Sequence, residues 1–299
     1  MLIAMKKIDL QCHTTFSDGE LTPREVVDLA IKRGIKALAI TDHDTIDGIE
    51  PAVAYSRNKT IELVPGIEIE CDESKRGFKK VDMLGLLIDY KNRNLANFTE
   101  RAKNERIRQK KLIIKKLNNL GFDISFGEVA RLVKSSFGRP HIAKVLLNNY
   151  PDEFASIRDV FDLYIGEGKP AYVGRKNVIS LKNAIEIVKK AGGVPILAHP
   201  GIFKKEDSME LIDIFAELGG EGIETYYPYH IIVPELKISE KQNSEMISFY
   251  KKIATSKNLL ESGGNDFHGS YRDTLGKVRV PYNVLESLRA AIPARHPKQ

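Results

Sequence analysis

Five times along this chain an apolar run ends in a histidine, aspartate or glutamate, and no other feature restricts the fold as much. Ile8-Asp9-Leu10-Gln11-Cys12-His13 leads into Thr14-Thr15-Phe16-Ser17-Asp18-Gly19. Ala37-Leu38-Ala39-Ile40 leads into Thr41-Asp42-His43-Asp44, and Leu63-Val64-Pro65-Gly66-Ile67 into Glu68-Ile69-Glu70. Val194-Pro195-Ile196-Leu197-Ala198 leads into His199-Pro200-Gly201, and Leu259-Leu260-Glu261-Ser262-Gly263-Gly264 into Asn265-Asp266-Phe267-His268. Stretches of helical pattern separate most of these runs. A parallel α/β barrel places its chemistry in this way, at the C-terminal ends of successive strands. One such ending alone is as readily a solvated loop; five describe a barrel.

Within the first run, strand alternation puts Gln11 and His13 on one side and Cys12 on the other. The Ser-Asp-Gly turn can bring Asp18 back over the strand end. A helix opens at Thr22-Pro23-Arg24-Glu25, a capping box with proline at the first helical position, and stops at Gly34. Strands follow at 36–40, 61–69 and 81–88, with a helix at 48–57. Asp82 is the odd member of the 81–88 run, because a carboxylate in a buried strand is costly unless it is paired or bound to a cation. From 91 to 168 only helical segments are expected, at 93–120, 125–134, 139–149 and 152–164. The alternation then resumes with a helix at 180–192, a strand at 194–198, a helix at 206–218, a strand at 222–224 and a helix at 240–257. The expected organisation is a barrel built from 1–90 and 169–290, a helical insertion at 91–168 and a basic tail at 291–299.

With 299 residues the chain is long enough for one such barrel or for two smaller domains. No apolar run approaches the ~20 residues of a membrane span, and Met1-Leu2-Ile3-Ala4-Met5 is too short for a signal-peptide core. Cys12 and Cys71 lack the spacing of a zinc knuckle, which fits a reduced, cytoplasmic setting. The net charge of +6 favours anionic ligands. It is concentrated in 91–116, where ten basic residues face two acidic ones. That run is either a solvated helix face or, through Arg106 and Lys110, a grip on an oligonucleotide.

The strand-end groups are imidazoles and carboxylates without thiolates, a donor set that suits Mn, Fe(II) or Zn. Several at adjacent strand tips imply two or three divalent ions. Such a cluster suits phosphate ester hydrolysis, since one ion activates water while its neighbours clamp the phosphoryl oxygens. No P-loop, dinucleotide turn or serine nucleophile elbow competes with this reading.

The set DLQCHTTFSDG, ITDHDT, PGIEIE, GRPHIA, GKPAYV, LAHPG and GGNDFH resembles the polymerase and histidinol phosphatase (PHP) family, across residues 9 to 268. It is most similar to the branch of 3',5'-nucleotide bisphosphate phosphatases and short-RNA 5'-exonucleases. The resemblance implies an α/β fold, a distorted (β/α)7 barrel of PHP type with a helical insertion. It also implies a metal-dependent phosphoric ester hydrolase with three ions. One ion would be held by Gln11, His13, Glu68 and Asp266. A second would be held by Glu68, Asp82 and His199, with Glu68 bridging, and a third by Asp18, His43 and His268. Arg139, His141 and Lys169 fall where this branch grips substrate phosphates. Asp266, His199, His268 and Arg139 are the candidate catalytic residues, the leaving-group proton coming from His199, His268 or water. Asp42 and Asp44 orient neighbours, and Glu224 ends a strand without an assigned role. His230 and His296 lie outside the motifs and are expected at the surface.

Two positions depart from the family pattern, which has histidine where this chain has Gln11 and Asp82. The expected substrate is a 3',5'-bisphosphate nucleotide or a short 5'-phosphorylated oligonucleotide. The alternatives are a histidinol-phosphate type of small-metabolite phosphatase and a catalytically degenerate protein that binds nucleotide or RNA.

Overall fold

The computed structural model of the protein describes residues 6–132 and 138–292. Its first half runs β1 (Lys7–Asp9), α1 (Pro23–Lys32), β2 (Ile35–Ile40), α2 (Ile49–Ser56), β3 (Glu62–Glu73) and β4 (Phe78–Leu86). Next come α3 (Arg93–Asn119), α4 (Phe126–Leu132), α5 (Arg139–Asn149) and α6 (Ile157–Val160), the last running into one π-helical turn at Phe161–Ile165. The second half runs α7 (Leu181–Lys190), β5 (Val194–Leu197), α8 (Lys205–Glu217), β6 (Gly222–Tyr226), α9 (Tyr229–Ile232) and α10 (Glu240–Ser256). It ends with β7 (Leu260–Gly263), β8 (Val280–Pro281) and α11 (Tyr282–Ala291).

The eight strands form one sheet in the order β7-β6-β5-β4-β3-β2-β1-β8. Beyond the ends of β7 and β1 the sheet curls back on itself. Leu10 N donates to the Gly263 carbonyl at 3.1 Å, Asp266 N to that of Gln11 at 3.1 Å and His13 N to that of Phe267 at 2.9 Å. The result is a nearly closed barrel. Period-two alternation sorts β2 between two layers. Ala37 and Ala39 join an apolar cluster with Val64, Leu84 and Ile196, to which α11 adds Leu285 and Leu288. Leu38 and Ile40 pack with Val26, Val27 and Ala30 of α1. The capping box of Thr22 and Glu25 starts α1, as the sequence predicts.

One expectation needs correcting. The strands are not all parallel: β4 runs antiparallel to both β3 and β5. Its N-terminal half therefore lies at the same barrel end as the C-termini of its neighbours, and Glu70 of β3 pairs with Asp82. An apolar run carries no direction, so periodicity alone did not show this. Smaller differences are the extension of β3 to Glu73, the restriction of the 152–164 helix to its second half, and the additional β8 and α11.

The helices between β4 and α7 have their own core. Ile113, Leu117, Phe122, Ile142 and Leu146 are buried together, and Ala171 of the returning segment packs with them. Two ties fasten α3 to that segment: Gln109 Nε2 donates to the Val173 carbonyl at 2.7 Å and Lys116 Nζ to that of Tyr172 at 2.8 Å. Residues 133 and 134 of the expected 125–134 helix, nearly all of the 291–299 tail and His296 lie outside the described residues. Among the described residues no helix is long and apolar enough to cross a membrane.

Candidate metal centre

The extension of β1 carries Gln11 and His13, both fully buried, into the barrel mouth. His13 Nε2 stands 2.9 Å from Glu68 Oε2 and 3.2 Å from Asp266 Oδ1. Gln11 Nε2 donates to Glu68 Oε1 at 3.0 Å. The other oxygen of Asp266 is held by Tyr227 Oη at 2.7 Å and Arg272 Nη1 at 2.8 Å, which turns Oδ1 toward His13.

Asp18 sits over the opposite edge of the His13 ring. Its carboxylate is 3.7 Å from His13 Nδ1, 3.9 Å from His43 Nε2 and 3.3 Å from His268 Nε2. Asp42 sets this loop by accepting from Thr14 N and Oγ1, both at 2.7 Å, and from Ser17 Oγ at 2.6 Å. A Cβ at Gly19 would lie 2.5 Å from the His13 carbonyl oxygen, so only glycine lets the loop pass that close. His268 Nδ1 lies 2.9 Å from the Asp266 carbonyl, an acceptor that keeps the proton on Nδ1 and leaves the Nε2 lone pair facing Asp18.

On the third side, His199 Nε2 is 3.1 Å from Glu68 Oε1 and 3.9 Å from Asp82 Oδ2. His199 holds a left-handed backbone, φ 29°, and Asp266 does too, φ 48°. Such strain persists only where the surroundings hold it. Here Glu224 Oε2 accepts from His199 N at 2.9 Å, which gives this strand-end glutamate a place in the site.

These groups form three sets whose ligand atoms all lie within 4.8 Å of one another: His13, Asp18, His43 and His268; His13, Glu68 and Asp266; His43, Glu68 and Asp82. His13 Nε2 and Glu68 Oε2 face each other at 2.9 Å without hydrogen-bond geometry, and among the described residues Gln11 Oε1 is a buried atom without a hydrogen-bond partner. Each such atom costs roughly 1–3 kcal/mol unless something else satisfies it, and a cation between imidazole and carboxylate would do so. The protonation pattern agrees. Burial pushes the Asp82 carboxyl up, and neighbouring Glu68 pushes it further, well above the usual range. Against the cost of burial, His43, His13 and His199 hold Glu68 well below its usual range. Burial disfavours charge on His199, yet Glu68 and Asp82 raise it to about 10. Crowded carboxylates and imidazoles that must share protons fit divalent cations.

Beside Glu68 the character of the site changes from ligand to cation. Asp44 accepts from Arg106 Nη2 at 2.7 Å and Arg175 Nη1 at 2.5 Å, and Arg175 Nη2 is 2.6 Å from Glu70 Oε1. Thus Asp44 orients two arginines, which agrees with a role outside the ligand sets. Arg106 is not on a solvated helix face, and neither is Lys110, which is 4% exposed and donates to Gln109 Oε1 at 2.7 Å. Burial, helped by Arg106, Arg139 and Arg175, lowers Lys110 to about 7. Arg139 lies half-buried between the rings of Phe161 and Tyr172, 5.7 Å from each, and donates to the Ile165 carbonyl at 3.3 Å. His141 Nδ1 accepts from Gly138 N at 3.1 Å, and Lys169 is exposed. Among the described residues no hydrogen bond or ion pair joins Arg139, His141 or Lys169 to the ligand sets. A cavity of about 920 Å³ is walled in part by Asp44, Glu70 and Arg175, and its lining includes none of Arg139, His141 and Lys169. The sequence motifs did not single out Arg175, and no local pattern marks it, because its partner Asp44 is 131 residues away.

Fold and site together define an α/β barrel with a cluster of imidazoles and carboxylates at its mouth. The family model described as PHP domain matches residues 9–192, and the chain belongs to that family. It is 33% identical over 265 residues to a 5'-3' exoribonuclease of Haemophilus influenzae, covering 88% of this chain and 90% of the relative. It is 30% identical over 268 residues to a 3',5'-nucleoside bisphosphate phosphatase of Chromobacterium violaceum, covering 88% of each. Among solved structures, a protein of Bifidobacterium adolescentis described as a metal-dependent phosphoesterase superposes with a TM-score of 0.77 at 27% identity. That match covers 97% of this chain and 96% of the other.

Proposed function

We propose that the protein is a metal-dependent phosphoric ester hydrolase acting on nucleotides that carry a 5'-phosphate. Its substrates are 3',5'-bisphosphate nucleotides and the 5'-terminal diesters of short oligonucleotides. The observation that carries this reading is the cationic cluster of Arg106 and Arg175, tied to Asp44 and Glu70 beside Glu68, with the buried Lys110 close to both arginines and, among the described residues, hydrogen-bonded to no carboxylate. A buried ammonium among arginines is costly, and a substrate phosphate would stabilise its charge. The names of the relatives support the same substrate class.

Gln11, His13, Glu68 and Asp266 would hold one divalent ion, Glu68, Asp82 and His199 a second, and Asp18, His43 and His268 a third. Bound there, the ions would activate water and stabilise phosphoryl charge. Manganese suits the mixed nitrogen and oxygen donors, as iron or zinc would. The protein's own residues do the rest. Tyr227 and Arg272 aim Asp266, Asp42 and Ser17 shape the Asp18 loop, and Glu224 holds His199. Arg139 and Lys110 bind the 5'-phosphate, with His141 and Lys169 at the rim, and Arg139 offers a planar fork that matches phosphate. Because its Nδ1 proton goes to the Asp266 carbonyl, His268 is better suited to ligation than to protonating the leaving oxygen. The buried free thiols of Cys12 and Cys71 suit a reducing cytoplasm.

Elemental analysis of the purified protein, together with phosphate or nucleotide release from adenosine 3',5'-bisphosphate and a 5'-phosphorylated dinucleotide, tests this. At least two tightly held ions and turnover of either substrate are expected. Nucleotide binding without turnover at any manganese concentration would favour the degenerate binder, whose motivation is Gln11 and Asp82 in place of histidine.

A further inference from the structure

The two flanks of the centre are unlike. His13 turns Nε2 to Glu68 and Nδ1 to Asp18, while His43 turns Nδ1 to Glu68 and Nε2 to Asp18. Glu68 and Asp18 therefore lie on opposite sides of the same two rings. The cations Arg106 and Arg175 belong to the Glu68 side, through Asp44 and Glu70. On the Asp18 side stands Tyr271, 62% exposed, the most exposed of the large hydrophobic side chains among the described residues. Its ring centre is 6.1 Å from that of His268, and its hydroxyl donates to the Asp18 carbonyl at 3.0 Å.

The turn that presents Tyr271 is well braced. Arg272 N donates to the Gly269 carbonyl at 3.2 Å and His268 N to that of Arg272 at 3.3 Å. Glu20 accepts from Ser270 N and Oγ, both at 2.6 Å. Gly269 takes φ 122°, a conformation that L side chains rarely adopt. An aromatic ring held rigidly at the edge of a catalytic centre, with most of its surface in solvent, is an arrangement that stacks nucleobases.

Resting on the phosphoesterase reading, we propose that Tyr271 is the stacking platform for the nucleoside on the 3' side of the scissile phosphate. The 5'-phosphate then sits among the cations on the Glu68 side, the scissile phosphate over the ligand sets and the next base on Tyr271. A bisphosphate nucleotide has no base to place there, whereas an oligonucleotide does. The ring thus sets the preference for chains over mononucleotides without touching the reacting atoms.

The test compares the parent, Tyr271→Ala and Tyr271→Phe, each loaded with manganese. The readout is the ratio of kcat/KM for a 5'-phosphorylated dinucleotide to that for adenosine 3',5'-bisphosphate, with metal content measured alongside. Loss of one stacked base should lower this ratio roughly tenfold in Tyr271→Ala, while Tyr271→Phe keeps the ring and the ratio. An unchanged ratio in Tyr271→Ala would overturn the proposal. So would a loss in Tyr271→Phe equal to that in Tyr271→Ala, because the hydroxyl's hold on Asp18 would then be the whole role. If the parent hydrolyses neither substrate, the phosphoesterase reading fails. The proposal is then judged by calorimetric affinity of the three proteins for a dinucleotide against a mononucleotide, with the same outcomes.

Discussion

Glu68 uses both of its oxygens within the centre. Its Oε1 meets Gln11 and His199, and its Oε2 meets His13 and His43. Glu68→Gln replaces a carboxylate with a neutral amide at the junction of two ligand sets. It should remove more than one equivalent of metal by elemental analysis. Activity should fall by more than the roughly 100-fold upper range for a lost outer-shell partner. Loss of a single equivalent would mean that Glu68 does not bridge. Gln11 is the converse case. It offers one unpartnered amide oxygen where an imidazole would be a stronger donor. Gln11→His should therefore raise turnover at limiting manganese, and the gain should shrink at saturation because mass action offsets weak affinity. A gain that persists at saturating manganese would place Gln11 in the chemistry rather than in metal affinity.

At the scale of elements, α3 bears the most on substrate, and its pH dependence is distinctive. Lys110 is lowered to about 7 by burial and by Arg106, Arg139 and Arg175. Only the protonated amine attracts a phosphate, so affinity for a 5'-phosphate should decline as pH rises through about 7. Lys110→Arg, which stays charged, should flatten that decline. Calorimetric titration of a mononucleotide into metal-free protein checks both, and a parent profile flat from about pH 6 to 9 would remove Lys110 from the phosphate site. This helix also shows how far sequence reasoning reaches. The strand-tip residues His13, His43 and His199 were legible because a strand and the loop it enters are adjacent in the chain. Asp82 was legible as an anomaly, but the direction of β4 was not. The position of Asp82 early in its run, where its counterparts come late, is the trace of the reversal. The engagement of Arg106 with Asp44 was not legible at all: it spans 62 residues and leaves no periodicity.

The whole molecule depends on joining its two ends, because the centre draws side chains from both the extension of β1 and the loop after β7. A buried polar clasp makes that join. Asp9 accepts from Asn265 N at 2.9 Å, Asn265 Nδ2 at 2.8 Å and Gly276 N at 3.0 Å. Asn265 in turn accepts from Val278 N at 2.7 Å and donates to the Val278 carbonyl at 3.2 Å. Burial raises the Asp9 carboxyl to about 6, although these hydrogen bonds act to lower it. Its folded pKa thus exceeds its unfolded value. The folded state holds the proton more tightly, and the stability this group contributes is lost as pH rises through about 6. Asn265→Ala removes a donor to the ionised form, so the Asp9 carboxyl should rise further and that loss should deepen. Orphaning Val278 adds a cost of roughly 1–3 kcal/mol at any pH. Urea unfolding of chelator-treated protein should therefore find Asn265→Ala less stable than the parent at about pH 5 and by a wider margin at about pH 8. An equal margin at both would mean that the clasp joins the ends of the barrel without bearing on the charge of Asp9.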